Sequence, residues 1–247
     1  MNEQEIAEMA KQYRYPVLLV LERHAESLRN QVKKRNKYLP DDGSAAMIKG
    51  IADMNIPITR EGIVQARLTG QALRERYGTF DCVYDSGHLR TVQTRTYGME
   101  AYSEEELANT KIRSSHLIVE RLSGYTYDMD TEEANRAFPY LARHFELFGP
   151  FYAEPPGGES QYHVSLRTLT FYERVRSHRA GKKVWVVDHG GTQRCLIFNV
   201  EGRSAQEFMD QYYTEEPPNC GITVYRFSPE TKRMKREALN QIFYSVG

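Results

Sequence analysis

Two short apolar runs constrain the fold of this chain more than any other feature. Residues 17–21 (VLLVL) and 184–187 (VWVV) are continuously apolar and do not alternate between apolar and polar side chains. Such runs are typical of strands that are buried on both faces of a mostly parallel sheet. Each run ends within three residues of a histidine, His24 in the first case and His189 in the second. The sequence therefore predicts an α/β fold with two histidines at strand ends.

Other segments extend this pattern into an alternation of strands and helices. Further strands are predicted over residues 80–84, 116–119, 221–228 and 233–240, and helices after Thr59, from about Leu89, over 131–147 and from Glu159. Residues 1–16 indicate a polar helical lead-in, and residues 31–55, which lack periodicity, indicate a surface insertion. We expect a single α/β domain over residues 1–247, with a mostly parallel central sheet flanked by helices on both faces.

The composition argues against several classes of protein. Lys plus Arg equal Asp plus Glu at 33 each, so no overall basic charge favours a nucleic-acid partner. No apolar stretch has the length of a signal peptide or a transmembrane helix, so no membrane partner is expected. Cys82, Cys195 and Cys220 are far apart and form no CxxC pair. This spacing favours reduced thiols in the cytoplasm over a disulfide framework.

The residues suited to chemistry follow the predicted strands. Ligands of open α/β sheets bind outside the carboxyl ends of the strands, so residues at these ends converge. The converging residues are Arg23, His24, the segment 86–90, Glu120 and His189. Arginines clamp phosphate oxygens through paired charged hydrogen bonds, helix N-termini add backbone donors, and a neutral imidazole can attack phosphorus. The set therefore indicates phosphoryl transfer on a small phosphorylated substrate.

These residues lie in motifs that resemble those of the histidine phosphatase superfamily, which includes cofactor-dependent phosphoglycerate mutase. Its first motif, Arg-His-Gly-x-Ser with an asparagine three residues later, is matched by RHAESLRN at 23–30. Further matches follow in order: PITREGIVQA (57–66), SGHLRTVQT (86–94), ERLSG (120–124), PPGGES (155–160) and DHGGTQR (188–194). The resemblance extends from residue 17 to about 226, and six matches in order make it specific. It implies a phosphoglycerate mutase-like fold.

The resemblance also implies a phosphohistidine mechanism. His24 would be the nucleophile, and Glu120 would protonate the leaving oxygen. The phosphoryl oxygens would be held by Arg23, Arg90 and His189. Three more residues of the matched motifs would contact the phosphate or the substrate, namely Ser27, Asn30 and Gly190.

Physical chemistry agrees with these roles. A phosphoryl transition state spreads charge over three oxygens, which two arginines and a protonated His189 would complement. His24 must stay neutral at its attacking nitrogen, which we expect if the other nitrogen donates to a backbone carbonyl. Glu120 must be protonated to act as an acid, through burial or a neighbouring negative charge. Glu159 and Asp188 are the competing carboxylates.

Three positions depart from the family pattern. Ala25 stands where glycine is usual, Gly87 where proline is usual, and Asp188 where serine is common before the second histidine. Alanine is tolerated only at negative φ, since a positive φ costs about 1–2 kcal/mol. Asp188 either keeps His189 cationic or points away from the site and serves the fold.

Other phosphatase chemistries fit less well. Cys220 and Arg226 have the C-x5-R spacing of cysteine-dependent phosphatases, but the residues between them alternate as in a strand. No cluster of His, Cys and carboxylates has metal-ligand spacing, so we expect neither a metal nor another cofactor.

Among the functions that share this site, hydrolysis of a small phosphomonoester is favoured. A phosphoglycerate mutase-type phosphotransferase is the alternative, although residues 124–156 do not resemble the longer segment of the mutases. A non-catalytic phospho-ligand-binding protein, disabled at Ala25 and Asp188, is the third possibility. The basic run Lys33, Lys34, Arg35 and Lys37 follows the first motif directly. It is either a solvated face or part of the substrate rim, and at the rim it would favour substrates with additional negative charge.

Overall fold

A six-stranded sheet forms the centre of the computed structural model, which describes residues 1–32, 46–127, 129, 131–212 and 214–245. Its strands are β1 (Leu18–Arg23), β2 (Cys82–Asp85), β3 (Lys111–Ser114), β4 (Lys183–Asp188), β5 (Ile222–Ser228) and β6 (Arg233–Gln241). Their spatial order is β3-β2-β4-β1-β5-β6. The first four strands pair in parallel, and β5 and β6 pair antiparallel. The predicted mostly parallel sheet is confirmed.

The described residues contain ten α-helices, several with strong caps. They are α1 (Glu3–Gln12), α2 (Leu28–Val32), α3 (Arg60–Tyr77), α4 (Leu89–Met99), α5 (Glu104–Leu107), α6 (Thr131–Ala137), α7 (Leu141–Tyr152), α8 (Gln161–His178), α9 (Gly190–Glu201) and α10 (Ala205–Gln211). Thr59 accepts from the Gly62 amide and thereby caps α3, as predicted, while Ser160 caps α8. In this part of the chain, no helix is long and apolar enough to cross a membrane.

The side chains of β1 and β4 point alternately into two hydrophobic cores. On one face Leu18, Val20 and Trp185 pack with residues of α3 and α4. On the other face Leu19, Leu21 and Val186 pack with residues of α8 and α9. Helices therefore cover both faces of the sheet, which explains why the two apolar runs do not alternate.

The pairing of β1 with β4 brings the two sequence motifs together. The strands are parallel and in register, so that Arg23 lies beside Asp188 at their carboxyl ends. The His24 amide extends this pairing by donating to the Asp188 carbonyl at 2.9 Å. His24 and His189 leave the sheet side by side, and their ring centroids lie 5.2 Å apart.

One predicted strand is wrong. The apolar run over residues 116–119 predicts the third strand, but His116–Ile118 is a turn of 3₁₀ helix and β3 is Lys111–Ser114. β3 is an edge strand whose four residues are all exposed, so it needs no apolar run. The apolar signal comes from Ile118, which is fully buried in the core beneath α8 and α9.

Candidate active site

A cavity of about 410 Å³ opens at the carboxyl ends of β1 and β4. Seven of the eight predicted site residues line it, namely Arg23, His24, Ser27, Asn30, Arg90, Glu120 and Gly190. Five arginines and three acidic residues line this space: Arg23, Arg29, Arg90, Arg121 and Arg194, with Asp53, Glu120 and Glu216. The cavity is therefore positively charged although the whole chain carries no net charge.

His24 has the tautomer that a nucleophile requires. Its Nδ1 lies 2.7 Å from the Ala25 carbonyl oxygen, so Nδ1 carries the proton and Nε2 keeps its lone pair. Burial lowers the pKa of His24 well below its usual value, and the charges of Arg90 and Arg23 lower it further. The imidazole is therefore neutral at neutral pH, as the sequence predicted.

His189 lies behind the cavity wall and is fully buried. The Arg90 Nε–H donates to its Nδ1 at 3.3 Å, so its proton is on Nε2, which donates to the Ser86 hydroxyl at 2.8 Å. Burial lowers the pKa of His189 far below its usual value, with a further contribution from Arg90. The expectation of a cationic His189 is therefore wrong, because the neutral ring acts as an acceptor for Arg90.

Arg23 presents an unused donor inside the cavity. Its guanidinium donates to the Pro217 carbonyl at 2.6 Å, while its buried Nε–H has no partner among the described residues. A side chain on Gly190 would place Cβ 3.4 Å from this Nε. The glycine thus keeps the space beside the Arg23 donor open for an oxyanion.

Glu120 lies against the first turn of α9. Its Oε1 accepts from the Arg121 amide at 2.8 Å, and a Cβ on Gly191 would come within 2.8 Å of the same oxygen. Of the two competing carboxylates, Glu159 is paired with Arg167 and Asp188 is fully buried, and neither lines the cavity. Of these three carboxyl groups, Glu120 is therefore the best placed to reach a leaving oxygen.

Arg167 holds the backbone beneath Glu120, and the sequence reasoning missed it. Its NH1 donates to the Leu117 and Val119 carbonyls at 3.0 and 2.9 Å, and its NH2 donates to the Glu120 carbonyl at 3.2 Å. Burial would raise the pKa of Glu159, but the hydrogen bonds from Arg167 and the Leu122 amide lower it overall. Arg167 lies in the middle of α8 with no local signal of this role.

Several matched motif residues hold the loop after β1 without lining the cavity. Thr94 accepts from the Ala25 amide at 2.9 Å, and Gln65 accepts from the Glu26 amide at 3.0 Å. A Cβ on Gly62 would come 2.3 Å from the Glu26 carbonyl oxygen, so only glycine allows this close approach. These residues fix the loop that carries His24.

Ser27 and Asn30 are linked to a loop that the sequence did not indicate. The Asn30 Oδ1 accepts from the Ser27 hydroxyl at 2.9 Å and from the Asn219 amide group at 3.1 Å. Asn219 also donates to the His24 carbonyl at 2.9 Å. The segment before β5 thus packs on the first motif, although it follows that motif by almost 190 residues.

The structure accounts for the three departures from the family pattern. Ala25 is not among the residues with positive φ, so the alanine carries no strain. Gly87 has φ +83°, which proline cannot adopt, and its amide donates to Asp85 at 2.8 Å. Asp188 is fully buried, and burial raises its pKa well above its usual value, which disfavours the charged form that would keep His189 cationic.

Asp53 is the main residue of the site that sequence reasoning missed. It lies in the predicted surface insertion, yet its carboxylate lines the cavity beside Arg90.

The four basic residues predicted at the substrate rim, Lys33, Lys34, Arg35 and Lys37, lie outside the described residues. Within the described ranges, no cluster of His, Cys, Asp and Glu could hold a metal ion.

The family model of the histidine phosphatase superfamily (branch 1) matches residues 19–240, most of the chain. The chain belongs to this superfamily. A curated relative, phosphoglycerate mutase of Schizosaccharomyces pombe, is 26% identical over 228 residues, covering 91% of this chain and 97% of the relative. The 2,3-bisphosphoglycerate-dependent phosphoglycerate mutase of Rhizobium etli is 29% identical over 181 residues, with 71% and 81% covered.

Solved structures of phosphatases share the fold of this superfamily member. A putative α-ribazole-5'-P phosphatase from Escherichia coli aligns with a TM-score of 0.70 at 19% identity, covering 94% of this chain and all of the other. A mycobacterial glucosyl-3-phosphoglycerate phosphatase aligns at 0.66 with 16% identity, covering 90% and 98%. The phosphoglycerate mutase-like fold implied by the motifs is confirmed.

Proposed function

We propose that this superfamily member is a phosphatase that hydrolyses a small phosphomonoester through a phosphohistidine on His24. The observation that carries the proposal is the 2.7 Å hydrogen bond from the His24 Nδ1 to the Ala25 carbonyl. It leaves an unprotonated Nε2 on a residue that lines an arginine-rich cavity. An imidazole held neutral in this way is a competent nucleophile for phosphorus.

In the first half-reaction the His24 Nε2 attacks phosphorus and the bond to the ester oxygen breaks. Arg23 and Arg90 complement the negative charge that spreads over the transferred oxygens. Glu120 gives its proton to the leaving oxygen, so the alcohol departs neutral. His189 contributes by accepting from the Arg90 Nε and so fixing the guanidinium.

In the second half-reaction water attacks the phosphohistidine. Glu120, now a carboxylate, takes a proton from the water as its oxygen bonds to phosphorus, and the N–P bond breaks. Inorganic phosphate leaves and His24 returns to its neutral form. The cavity is open to water, because two of its lining residues are largely exposed. The side chain of Glu216 is 64% exposed, and Leu122 is 57% exposed.

The cavity favours small substrates with negative charge beyond the transferred phosphate. Its size suits a molecule of a few tens of atoms at most, and Arg29, Arg121 and Arg194 add positive charge outside the Arg23 and Arg90 pair.

The cysteines are buried free thiols, which supports the proposal that the protein works in the reducing cytoplasm.

A mutase-type phosphotransferase is the second candidate, favoured by the names of the curated relatives. It would use the same His24 chemistry but return the phosphoryl group to a second hydroxyl of the substrate. Incubation with 3-phosphoglycerate separates the two functions. Release of inorganic phosphate supports the phosphatase, whereas formation of the 2-phospho isomer without phosphate release supports the mutase.

The test of the proposal is a trapping experiment with an aryl phosphate. We expect acid-labile phosphate on His24 and turnover that His24→Ala abolishes, whereas His116→Ala, which removes an exposed histidine, leaves turnover intact. Full activity in His24→Ala, or labelling of Cys220, would contradict the mechanism. Tight binding of phosphate without turnover of any ester would indicate a non-catalytic phospho-ligand-binding protein.

A further inference from the structure

The carboxylate of Asp53 lies directly against the guanidinium of Arg90. The Arg90 NH1 donates to the Asp53 Oδ1 at 3.3 Å, and its NH2 donates to the Oδ2 at 3.2 Å. NH1 also donates to the Asp53 backbone carbonyl at 2.7 Å. Burial would raise the pKa of Asp53, but Arg90 and Arg29 lower it overall, so the carboxylate is charged. Asp53 thus gives Arg90 the two-point contact that a phosphate would make.

The contact with Asp53 occupies N–H groups of Arg90 that a phosphate would need. A guanidinium has five N–H groups, of which Arg90 uses one on His189, one on the Asp53 carbonyl and two on the Asp53 carboxylate. A phosphate that binds Arg90 in the usual paired manner needs two parallel N–H groups. One N–H group is left over, so at least one of these four contacts must be released. The Asp53 carboxylate is the partner free to move, because it holds two N–H groups at 3.3 and 3.2 Å on a side chain that is 30% exposed, whereas His189 is fully buried.

The surroundings of Asp53 allow the carboxylate to move while its backbone stays. The following Ile56 is fully buried, and the Ile58 amide donates to Gln93 at 2.9 Å, which anchors the segment. The carboxylate has two further neighbours, the Tyr127 hydroxyl at 3.0 Å and the His88 Nδ1 at 3.6 Å. A rotation of the side chain leaves the contact between Arg90 and the Asp53 carbonyl in place, because that contact is made to the backbone.

We propose that the Asp53 carboxylate occupies Arg90 in the free protein and is exchanged for the phosphoryl group when substrate binds, so that Asp53 sets the affinity of the site for phosphate. The Asp53 carbonyl keeps the guanidinium in position, and the Tyr127 hydroxyl, which already donates to the carboxylate, continues to hold it after the exchange. The inference rests on the proposed function for the role of Arg90. Its consequence is that inorganic phosphate binds weakly and leaves readily, because the Asp53 carboxylate competes with it for Arg90.

The test is calorimetric titration with inorganic phosphate, which needs no turnover. We expect Asp53→Asn and Asp53→Ser to lower the Kd for phosphate by about tenfold, because both remove the competing charge. Tyr127→Phe should weaken phosphate binding in the wild-type background and have little effect in the Asp53→Asn background. Circular dichroism of each variant verifies that it is folded.

Two outcomes of the titration would contradict the proposed exchange. If Asp53 only orients Arg90, both Asp53 substitutions raise the Kd for phosphate. If the carboxylate does not compete with phosphate, the Kd is unchanged. Arg90→Ala serves as the control for the proposed function. Phosphate binding that Arg90→Ala leaves unaltered contradicts the placement of Arg90 in the phosphate site, whatever Asp53 does.

Discussion

Arg167 and Glu159 form a two-point ion pair directly beneath the backbone of Glu120. The Arg167 Nε lies 2.9 Å from the Glu159 Oε1, and its NH2 lies 3.0 Å from the Oε2. The same guanidinium donates to three carbonyls of the segment that ends at Glu120. Because Arg167 does not line the cavity, we treat it as a positioning residue for the proton donor.

Arg167→Met should therefore lower kcat by about 10- to 100-fold with a smaller change in KM, since a small misplacement of an acid group has this effect. It should also destabilise the protein by about 3–5 kcal/mol, because Glu159 loses its partner in a largely buried site. Arg167→Lys keeps the charge without the planar fork and should be intermediate. Steady-state kinetics and urea unfolding measure both effects. Arg174→Met, an exposed change in the same helix, is the matched control, and equal kinetic losses in both variants would remove Arg167 from this role.

Gly191→Ala should displace the Glu120 carboxyl without unfolding the protein. The new Cβ would lie 2.8 Å from the Glu120 Oε1, the mobile end of a side chain, so the carboxyl moves and the backbone does not. We expect kcat to fall by about tenfold or more while Tm stays within a few degrees of wild type. In a Glu120→Gln background the same change should have no further effect on kcat. An additive loss in the double variant would show that Gly191 acts independently of Glu120.

The sequence predicted the parts of this site that follow apolar strands. His24 and His189 were found because residues 17–21 and 184–187 are unmistakable buried strands, and parallel strands bring their carboxyl ends together. The contribution of Asp53 was missed because it depends on a contact across 37 residues in a segment without periodicity. The protonation state of His189 also depends on burial and on Arg90, neither of which is visible in a motif.

Arg90→Ala should cost about 2–5 kcal/mol of transition-state stabilisation, mostly in kcat, because the transferred oxygens lose a paired donor. It also leaves Asp53 without the guanidinium that now neutralises it. We therefore expect the double variant Arg90→Ala/Asp53→Asn to recover thermal stability but not activity. The measurements are kcat/KM with an aryl phosphate and Tm by circular dichroism. Arg67→Ala, which removes an exposed arginine paired with Glu100, is the control, and kinetics of Arg90→Ala equal to it would exclude Arg90 from the reaction.

A buried carboxyl behind the active-site loop should make stability depend on pH. Glu22 is 1% exposed and accepts from the Trp185 indole N–H at 2.7 Å. Burial raises the pKa of Glu22 to about 8, although the hydrogen bonds from Trp185 and Cys220 oppose the shift. The folded protein therefore keeps a proton that the unfolded chain releases above its ordinary pKa of 4.5.

The sign of the effect follows from this difference in bound protons. Between about pH 4.5 and 8 the folded state binds more protons than the unfolded state, so the free energy of unfolding falls as pH rises. Glu22→Gln keeps an acceptor for Trp185 but cannot ionise, so it lacks this contribution. Relative to wild type, the variant should gain on the order of a few kcal/mol between pH 5.5 and pH 8.5, measured by urea unfolding. Glu105→Gln, an exposed change, should track wild type at both pH values. If Glu22→Gln tracks wild type as well, Glu22 is ionised in the folded protein throughout this range and the Trp185 hydrogen bond is made to a carboxylate.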